Sequence, residues 1–271
     1  MPNVLLTALL REEYDTLFRK CQPLPAKQAA IEQVVDRIVL NKSRYQDVGS
    51  PLQIPWYFIA TIHHMEASLN FHTHLHNGDP LTAVTVHVPK GRPKAGTPPF
   101  TWEFSANDAL TLEGLNSVTD WTIPGLLYQL EKYNGFGYRT NHPEVLSPYL
   151  WSASNNYTKG KFVEDGKFDP DAVSSQLGAA VVIRRMAERQ LIRFDADGNP
   201  LLGNEPEPTI EDLEPLVSFS KTEASPDAAT LQIAMDRFPG IFLKVDGIPG
   251  DRTSDAFKRV TGHFLAGDPR G

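Results

Sequence analysis

At 271 residues, with 26 Lys/Arg against 33 Asp/Glu, the chain suits one large domain plus a small one, or two medium ones. The formal net charge of −7 sits entirely in residues 195–225, which hold one Lys and eight acids. The flanking segments are balanced and lack the basic excess of a nucleic-acid binder. No apolar run approaches the roughly 20 residues of a membrane helix, so neither nucleic acid nor membrane is an expected partner.

The opening, MPNVLLTALLREEYDTLF, has a short apolar stretch without a basic leader and with acids directly after it. No cleaved signal peptide is expected, and the protein is read as made in the cytoplasm. The single cysteine, Cys21, excludes an internal disulfide and a Cys-based zinc site.

Residues 3–20 and 26–44 carry apolar positions at three- and four-residue spacing, as in Ile31, Val34, Val35, Ile38 and Val39. Pro55 is suited to open the next helix, through Trp56, Phe58, Ile59 and Ile62 towards Glu66. Then HNGDPL has a turn signature and TAVTVHV alternates as a strand does, predicting a β-hairpin. Residues 91–99 form a Gly/Pro loop. Helices resume near 105–116 and 123–133, and a long one is expected over 171–191 with Leu177, Ala180, Val181 and Ile183 inward. Residues 195–225, with four prolines among dense acids, read as an extended linker, although Leu213, Leu216, Val217 and Phe219 have the character to dock on a neighbour. The expected domains are therefore 1–194, the linker 195–225, and a small helical module over 226–271. The fold class is mainly α with one small β-hairpin.

The densest chemistry lies in residues 63–88, HHMEASLNFHTHLHNGDPLTAVTVHV. Glu66 follows an apolar helix, where loss of hydration disfavours its charged form and raises its pKa. Such a carboxyl, neutral near pH 6–7, is what a glycosidase needs to protonate a departing sugar oxygen. His63, His64, His72, His74 and His76 offer a competing zinc site for a wall amidase or peptidase. The order His63-His64-Met65-Glu66 is not the H-E-x-x-H of a helix-borne zinc site. Further on, Tyr138, Arg139, Tyr149, Trp151, Asn155 and Tyr157 fall in a loop-rich stretch. Aromatic faces beside amides suit a sugar chain, and Tyr149 and Trp151 equally suit a core.

Residues 54–88 resemble the catalytic helix and hairpin of the lysozyme superfamily. The segment Glu66-Ala67-Ser68-Leu69-Asn70-Phe71 resembles the E-S-x-F motif of goose-type lysozymes and lytic transglycosylases, with Ala67 standing before Ser68. The order Glu66, Asp79, Thr85 resembles the Glu–Asp–Thr triad of phage lysozymes, with a longer interval between Glu66 and Asp79. The resemblance implies an α+β lysozyme-like domain in which Asp79 and Thr85 hold the attacking water, while Asp79 is also the residue an N-G-D-P turn wants. Glu103, within PFTWEF, is a candidate to face the cleft from a second strand.

In the tail, Leu231-Gln232, Asp246-Gly247-Ile248-Pro249-Gly250, Thr253 and Ala256-Phe257 resemble the pattern of the peptidoglycan-binding family, a three-helix module. The resemblance implies wall targeting through a module marked by Asp246, Gly247, Gly250 and Thr253. Together the two resemblances imply a monomeric peptidoglycan hydrolase that acts on glycan strands after release from the cell and needs no metal or cofactor. Glu66 would serve as general acid on the bond between N-acetylmuramic acid and N-acetylglucosamine. A lytic transglycosylase, the zinc enzyme and a non-catalytic wall-binding protein are the alternatives.

Overall fold

The computed structural model describes residues 4–271 except 165, 196, 202–209, 237, 239, 240 and 242; the middle of the expected linker lies outside the described residues. The helices run α1 (Ala8–Lys20), α2 (Gln28–Leu40), α3 (Lys42–Leu52), α4 (Trp56–Ala67), α5 (Trp102–Leu112) and α6 (Ile123–Asn134). They continue as α7 (Gly137–Asn141), α8 (Pro148–Trp151), α9 (Ala179–Glu188), α10 (Ile210–Leu213), α11 (Pro226–Met235) and α12 (Asp251–Thr261). Between α8 and α9 lie β1 (Lys161–Glu164) and β2 (Lys167–Asp169), an antiparallel pair with Lys161 opposite Asp169. Among the described residues no helix is long and apolar enough to cross a membrane.

The chain divides into two compact units whose boundaries differ from the expected domains. The first comprises Met1–Leu6, Pro23–Trp121 and Gly125–Ile183; the second comprises Thr7–Gln22, Thr122–Pro124 and Arg184–Gly271. The N-terminal helix α1 therefore belongs with the C-terminal residues, presenting Leu10, Tyr14 and Phe18 at four-residue spacing as its buried stripe.

In the first unit, α4 is the central element. Residues Tyr57 to His63, together with Met65, are all buried, so this helix has no solvent face. Pro55 precedes it, where a missing N–H is no loss. Before it, α3 ends at Gly49–Ile54 by a close approach: a Cβ on Gly49 would lie 2.4 Å from the Ile54 carbonyl oxygen. The expected hairpin is reduced to one antiparallel bridge across the HNGDPL turn, Thr73 opposite Pro80, with the His74 N–H on Asp79 O at 2.7 Å and the Leu81 N–H on His72 O at 3.1 Å; the TAVTVHV strand does not form. Asp79 takes the N–H groups of Val86 and His87 at 2.7 and 3.0 Å, and the Thr85 N–H donates to Arg92 O at 2.8 Å. Donors committed to a side chain and a loop carbonyl cannot build a ladder, so the alternating segment stays a loop. The sheet forms instead at β1–β2.

The long helix expected over 171–191 is also shorter, as α9. Asp169 accepts the N–H groups of Asp171 and Ala172 at 2.8 and 3.2 Å, which gives that segment a local turn. Gly178 then passes so close to α8 that a Cβ would sit 2.3 Å from Leu150 O.

The second unit has its own core: Ile210, Leu213, Val217, Leu231, Met235, Ile241, Leu243, Phe257 and Leu265 are buried together. Ile210, Leu213 and Val217 come from the expected linker, so its C-terminal part is a packed element and α10 is the third helix of the module.

Gln232, 1% exposed, organises the turn between α11 and α12. Its amide nitrogen donates to Asp246 Oδ1 (3.0 Å), Ile248 O (3.1 Å) and Thr253 Oγ1 (3.1 Å), and its oxygen accepts from the N–H groups of Asp246 (3.0 Å) and Gly247 (2.8 Å). Gly247 has φ +71°, and a Cβ there would meet Ser225 O at 2.9 Å. Replacing Gln232 by Ala strands the buried Gly247 N–H, a loss of about 1–3 kcal/mol on the usual scale for an unsatisfied group, while the Asp246 N–H keeps Lys244 O at 3.0 Å. Amide exchange at Gly247 should accelerate accordingly; unchanged protection in Gln232→Ala would remove the side chain from this role.

Candidate active site

Glu66 occupies the last turn of α4, and the backbone beyond it is unusual. Ser68 and Leu69 both adopt left-handed conformations, φ +49° and +59°, which cost a non-glycine residue free energy and persist only where the surroundings impose them. Here the Ser68 and Leu69 N–H groups return to His64 O and His63 O at 3.2 and 3.1 Å, and Arg37 from α2 donates to the carbonyls of Ser68 and Leu69 at 3.3 Å each. This clamp fixes where the helix stops and therefore where Glu66 sits.

The Glu66 carboxyl is mostly shielded from water. Burial pushes its pKa up, and a 2.8 Å hydrogen bond donated by Tyr149 pulls it partly back. Burial, then the neighbouring Glu66 charge, keeps the Tyr149 and Tyr133 phenols well above their ordinary value, so both stay neutral donors. Tyr149 also lines a cleft of about 490 Å³ together with Asn134, Tyr138, Asn141, Lys161 and Gln176. Gln176 in turn donates to Met65 O at 2.9 Å, tying the cleft wall to the end of α4. The outcome is one semi-buried acid a single hydrogen bond from a polar, amide-rich cleft.

The other expected site residues divide. Tyr138 lines the cleft and accepts the Phe162 N–H at 3.1 Å, anchoring β1. Trp151 is 1% exposed and belongs to the core. Tyr157 is buried, donating to Gly160 O at 3.2 Å and accepting from Ser174 N–H at 3.1 Å, which holds a loop and not a ligand. Arg139 pairs at 2.9 Å with the buried Glu131. Asn155 is exposed and does not line the cleft.

Asp79 and Thr85 are committed elsewhere. Asp79 receives the two N–H groups named above, His87 Nδ1 at 2.6 Å and Asn77 Nδ2 at 3.1 Å. These donors, led by the His87 backbone N–H, hold its pKa down at about 2. Thr85, 1% exposed, donates to Pro89 O and accepts the Arg92 N–H at 2.9 Å. Both side chains pin the 77–92 loop, so the water-holding role expected for them is not what their contacts show. Glu103 lies in the first turn of α5, not on a strand. Partial burial, the largest single influence, works to raise its pKa, but the 2.6 Å bond from Arg44, its own backbone N–H and the Arg44 charge together hold it low.

The five histidines do not share one site: the His74 and His76 rings stand edge-on at 5.7 Å, while His63 packs elsewhere. His63 packs against Tyr45, Phe71 and Trp102, with Tyr45 Oη 3.0 Å from its Nδ1. His74 bonds Ser105 and Ala83 O, and His76 bonds Asp108 at 2.8 Å. Burial pushes His63 and His64 down to about 4, so both are neutral at pH 7. Among the described residues no three His, Cys, Asp or Glu side chains converge to hold a metal. In the second unit, Asp246, Gly247, Gly250 and Thr253 build the Gln232-centred turn, and the resemblance at those positions is accounted for by folding. Tyr133 is the residue missed from the sequence, where one more tyrosine on a helix carries no distinguishing signal.

Comparison of the chain with protein-family models, curated proteins and solved structures finds no match.

A carboxyl whose pKa is raised in the folded state penalises folding above that pKa, and the penalty vanishes below the unfolded value of about 4.5. Glu66→Gln should therefore raise the melting temperature at pH 8, with the gain shrinking as pH falls towards 4.5. Tyr149→Phe removes a donor to the charged form and should push the Glu66 pKa higher still, readable by carbon NMR of the carboxyl. A lower value in that variant would contradict the assigned direction.

Proposed function

We propose that this chain cleaves peptidoglycan glycan strands at the β-1,4 bond between N-acetylmuramic acid and N-acetylglucosamine, with Glu66 as the general acid. The observation that carries this is the Glu66 carboxyl, semi-buried at the end of α4 and hydrogen-bonded at 2.8 Å to cleft-lining Tyr149. A neutral carboxyl there gives its proton to the leaving sugar oxygen as the C1–O bond breaks, and Tyr149 stabilises the carboxylate left behind. Amide side chains around the cleft match the acetamido and hydroxyl groups of such a strand. The second unit is proposed as the wall anchor, raising local substrate concentration. A lysozyme-like fold for the first unit, action at the wall after release, and a monomeric state belong to the same proposal.

One observation favours a second reading of the chemistry on the same bond. Inverting hydrolysis needs a second carboxylate free to activate water; Asp79 accepts four hydrogen bonds, Glu103 is paired with Arg44, and neither lines the cleft. A lytic transglycosylase needs only one acid. Glu66 first gives its proton to the leaving oxygen as the C1–O bond breaks; the carboxylate so formed then takes the proton of the muramyl 6-hydroxyl as that oxygen bonds C1, which closes the anhydro ring and restores the acid.

Glu66→Gln should lower turbidity clearance of wall sacculi by at least about 100-fold, the usual scale for loss of a general acid, while the protein stays folded. Near-normal clearance by this variant would end the proposal. Mass spectrometry of the released fragments decides the chemistry: anhydro ends mean transglycosylation, reducing muramic ends mean hydrolysis.

Asp79→Asn weakens the His87 contact and two charge-assisted backbone bonds. It should lower the melting temperature and reduce activity far less than Glu66→Gln. A loss of rate equal to that of Glu66→Gln, in a protein that melts normally, would restore Asp79 to the chemistry.

A further inference from the structure

Among the described residues lining the cleft, Lys161 is the charged one; the rest of the polar lining is amide, hydroxyl or phenol. It is the first residue of β1, and its position is fixed on both sides. The next residue, Phe162, donates its N–H to Tyr138 Oη at 3.1 Å and sets its ring edge-on to Tyr138 at 5.0 Å. Across the ladder stands Asp169, the obvious partner for a lysine. Its Oδ1 is instead occupied by the N–H groups of Asp171 and Ala172.

The neighbouring lysines are matched: Lys159 with Asp171 at 2.6 Å, and Lys167 with Glu164 at 3.7 Å. Among the described residues no carboxylate pairs with Lys161. A partly buried lysine that lines the cleft with Tyr138 and Tyr149, and has no carboxylate partner among the described residues, is placed to receive an anion brought by the ligand.

We propose that Lys161 reads a carboxylate carried by the substituent of the muramic acid sugar, and so makes the cleft selective for acidic glycan strands over neutral N-acetylglucosamine polymers. This rests on the glycan-cleaving function proposed above. The carboxylate has two sources: the free lactyl group of a peptide-free strand, or the stem peptide of an intact one. Both present one anionic oxygen pair beside the sugar ring. A partly shielded ammonium bonds it more strongly than a surface lysine bonds a surface acid.

The test compares the full chain with Lys161→Gln and Lys161→Arg on three substrates: peptide-free glycan strands, peptide-bearing sacculi and chitin hexasaccharide. Loss of a charge-assisted hydrogen bond should lower kcat/KM on the acidic strands by about 10- to 100-fold, mainly through KM. Chitin turnover should be unchanged, and Lys161→Arg should retain most of the preference. Loss on peptide-bearing sacculi alone assigns the carboxylate to the stem peptide, loss on peptide-free strands alone assigns it to the free lactyl group, and loss on both means that the ammonium reads either carboxylate. Equal loss on chitin and on acidic strands, or no loss at all, overturns the proposal. Calorimetric binding of the disaccharide N-acetylglucosaminyl-N-acetylmuramic acid, with and without its stem peptide, against chitobiose separates this from failure of the function itself. If the parent chain cleaves nothing, a preference for the acidic disaccharide that Lys161→Gln abolishes still upholds the Lys161 assignment, and the absence of any preference refutes it.

Discussion

The candidate site depends on how α4 ends. A helix buried on every side cannot shift along its axis without opening the core on all its faces, so its register is rigid. Two consecutive left-handed residues, Ser68 and Leu69, then turn the chain sharply away, and Arg37 holds both carbonyls. Glu66 lies one turn before this point and inherits the rigidity of both. Its raised pKa follows from the same constraint, because a buried carboxyl held by Tyr149 cannot swing out to regain water. The strain at 68–69 and the desolvation of Glu66 are two consequences of one fixed helix end.

The same physical device shapes the loops of both units: a polar side chain takes backbone N–H groups that would otherwise need a strand or helix partner. Asp79 does this for Val86 and His87, Asp169 for Asp171 and Ala172, and Gln232 for Asp246 and Gly247. Each time the side chain is spent on architecture. That explains why carboxylates and amides that attract notice for chemistry prove unavailable for it.

Legibility in the sequence followed the range of the forces involved. The helix from Pro55 to Glu66 was plain, since an unbroken apolar run after a proline has few other fates. The pattern running from Gln232 to Thr253 was equally plain as a motif, though not as a hydrogen-bond network centred on one buried amide. Three features were opaque. The alternation of TAVTVHV has the right period for a strand, but period does not reveal that Asp79 consumes the donors. The acids of 210–217 suggested a solvated spacer, and only packing shows Ile210, Leu213 and Val217 turned to a common core. The membership of α1 in the second unit is a long-range fact with no local trace. Of the site, Glu66 and Tyr149 could be named, but the bond between them spans 83 positions and spacing does not encode it.

Asp79 shows why a motif must be judged by its electrostatics. Its interval to Thr85 matches a catalytic pattern, yet a carboxylate that already accepts from two backbone N–H groups, an imidazole and an amide has little basicity left to draw a proton from water, as its pKa near 2 expresses. Glu103 is held low by Arg44 and is disqualified by the same physics. What remains is an asymmetry: one acid whose charged form burial disfavours, and two carboxylates whose charged form nearby donors favour. Under the proposed function, that asymmetry favours chemistry in which one group both gives and takes the proton. Glu66 would first protonate the leaving oxygen and then, as carboxylate, take the proton of the attacking hydroxyl, which for a muramyl residue is its own at C6. The proposal of ring closure over hydrolysis therefore rests on the donors around Asp79 and Glu103 more than on any feature of Glu66.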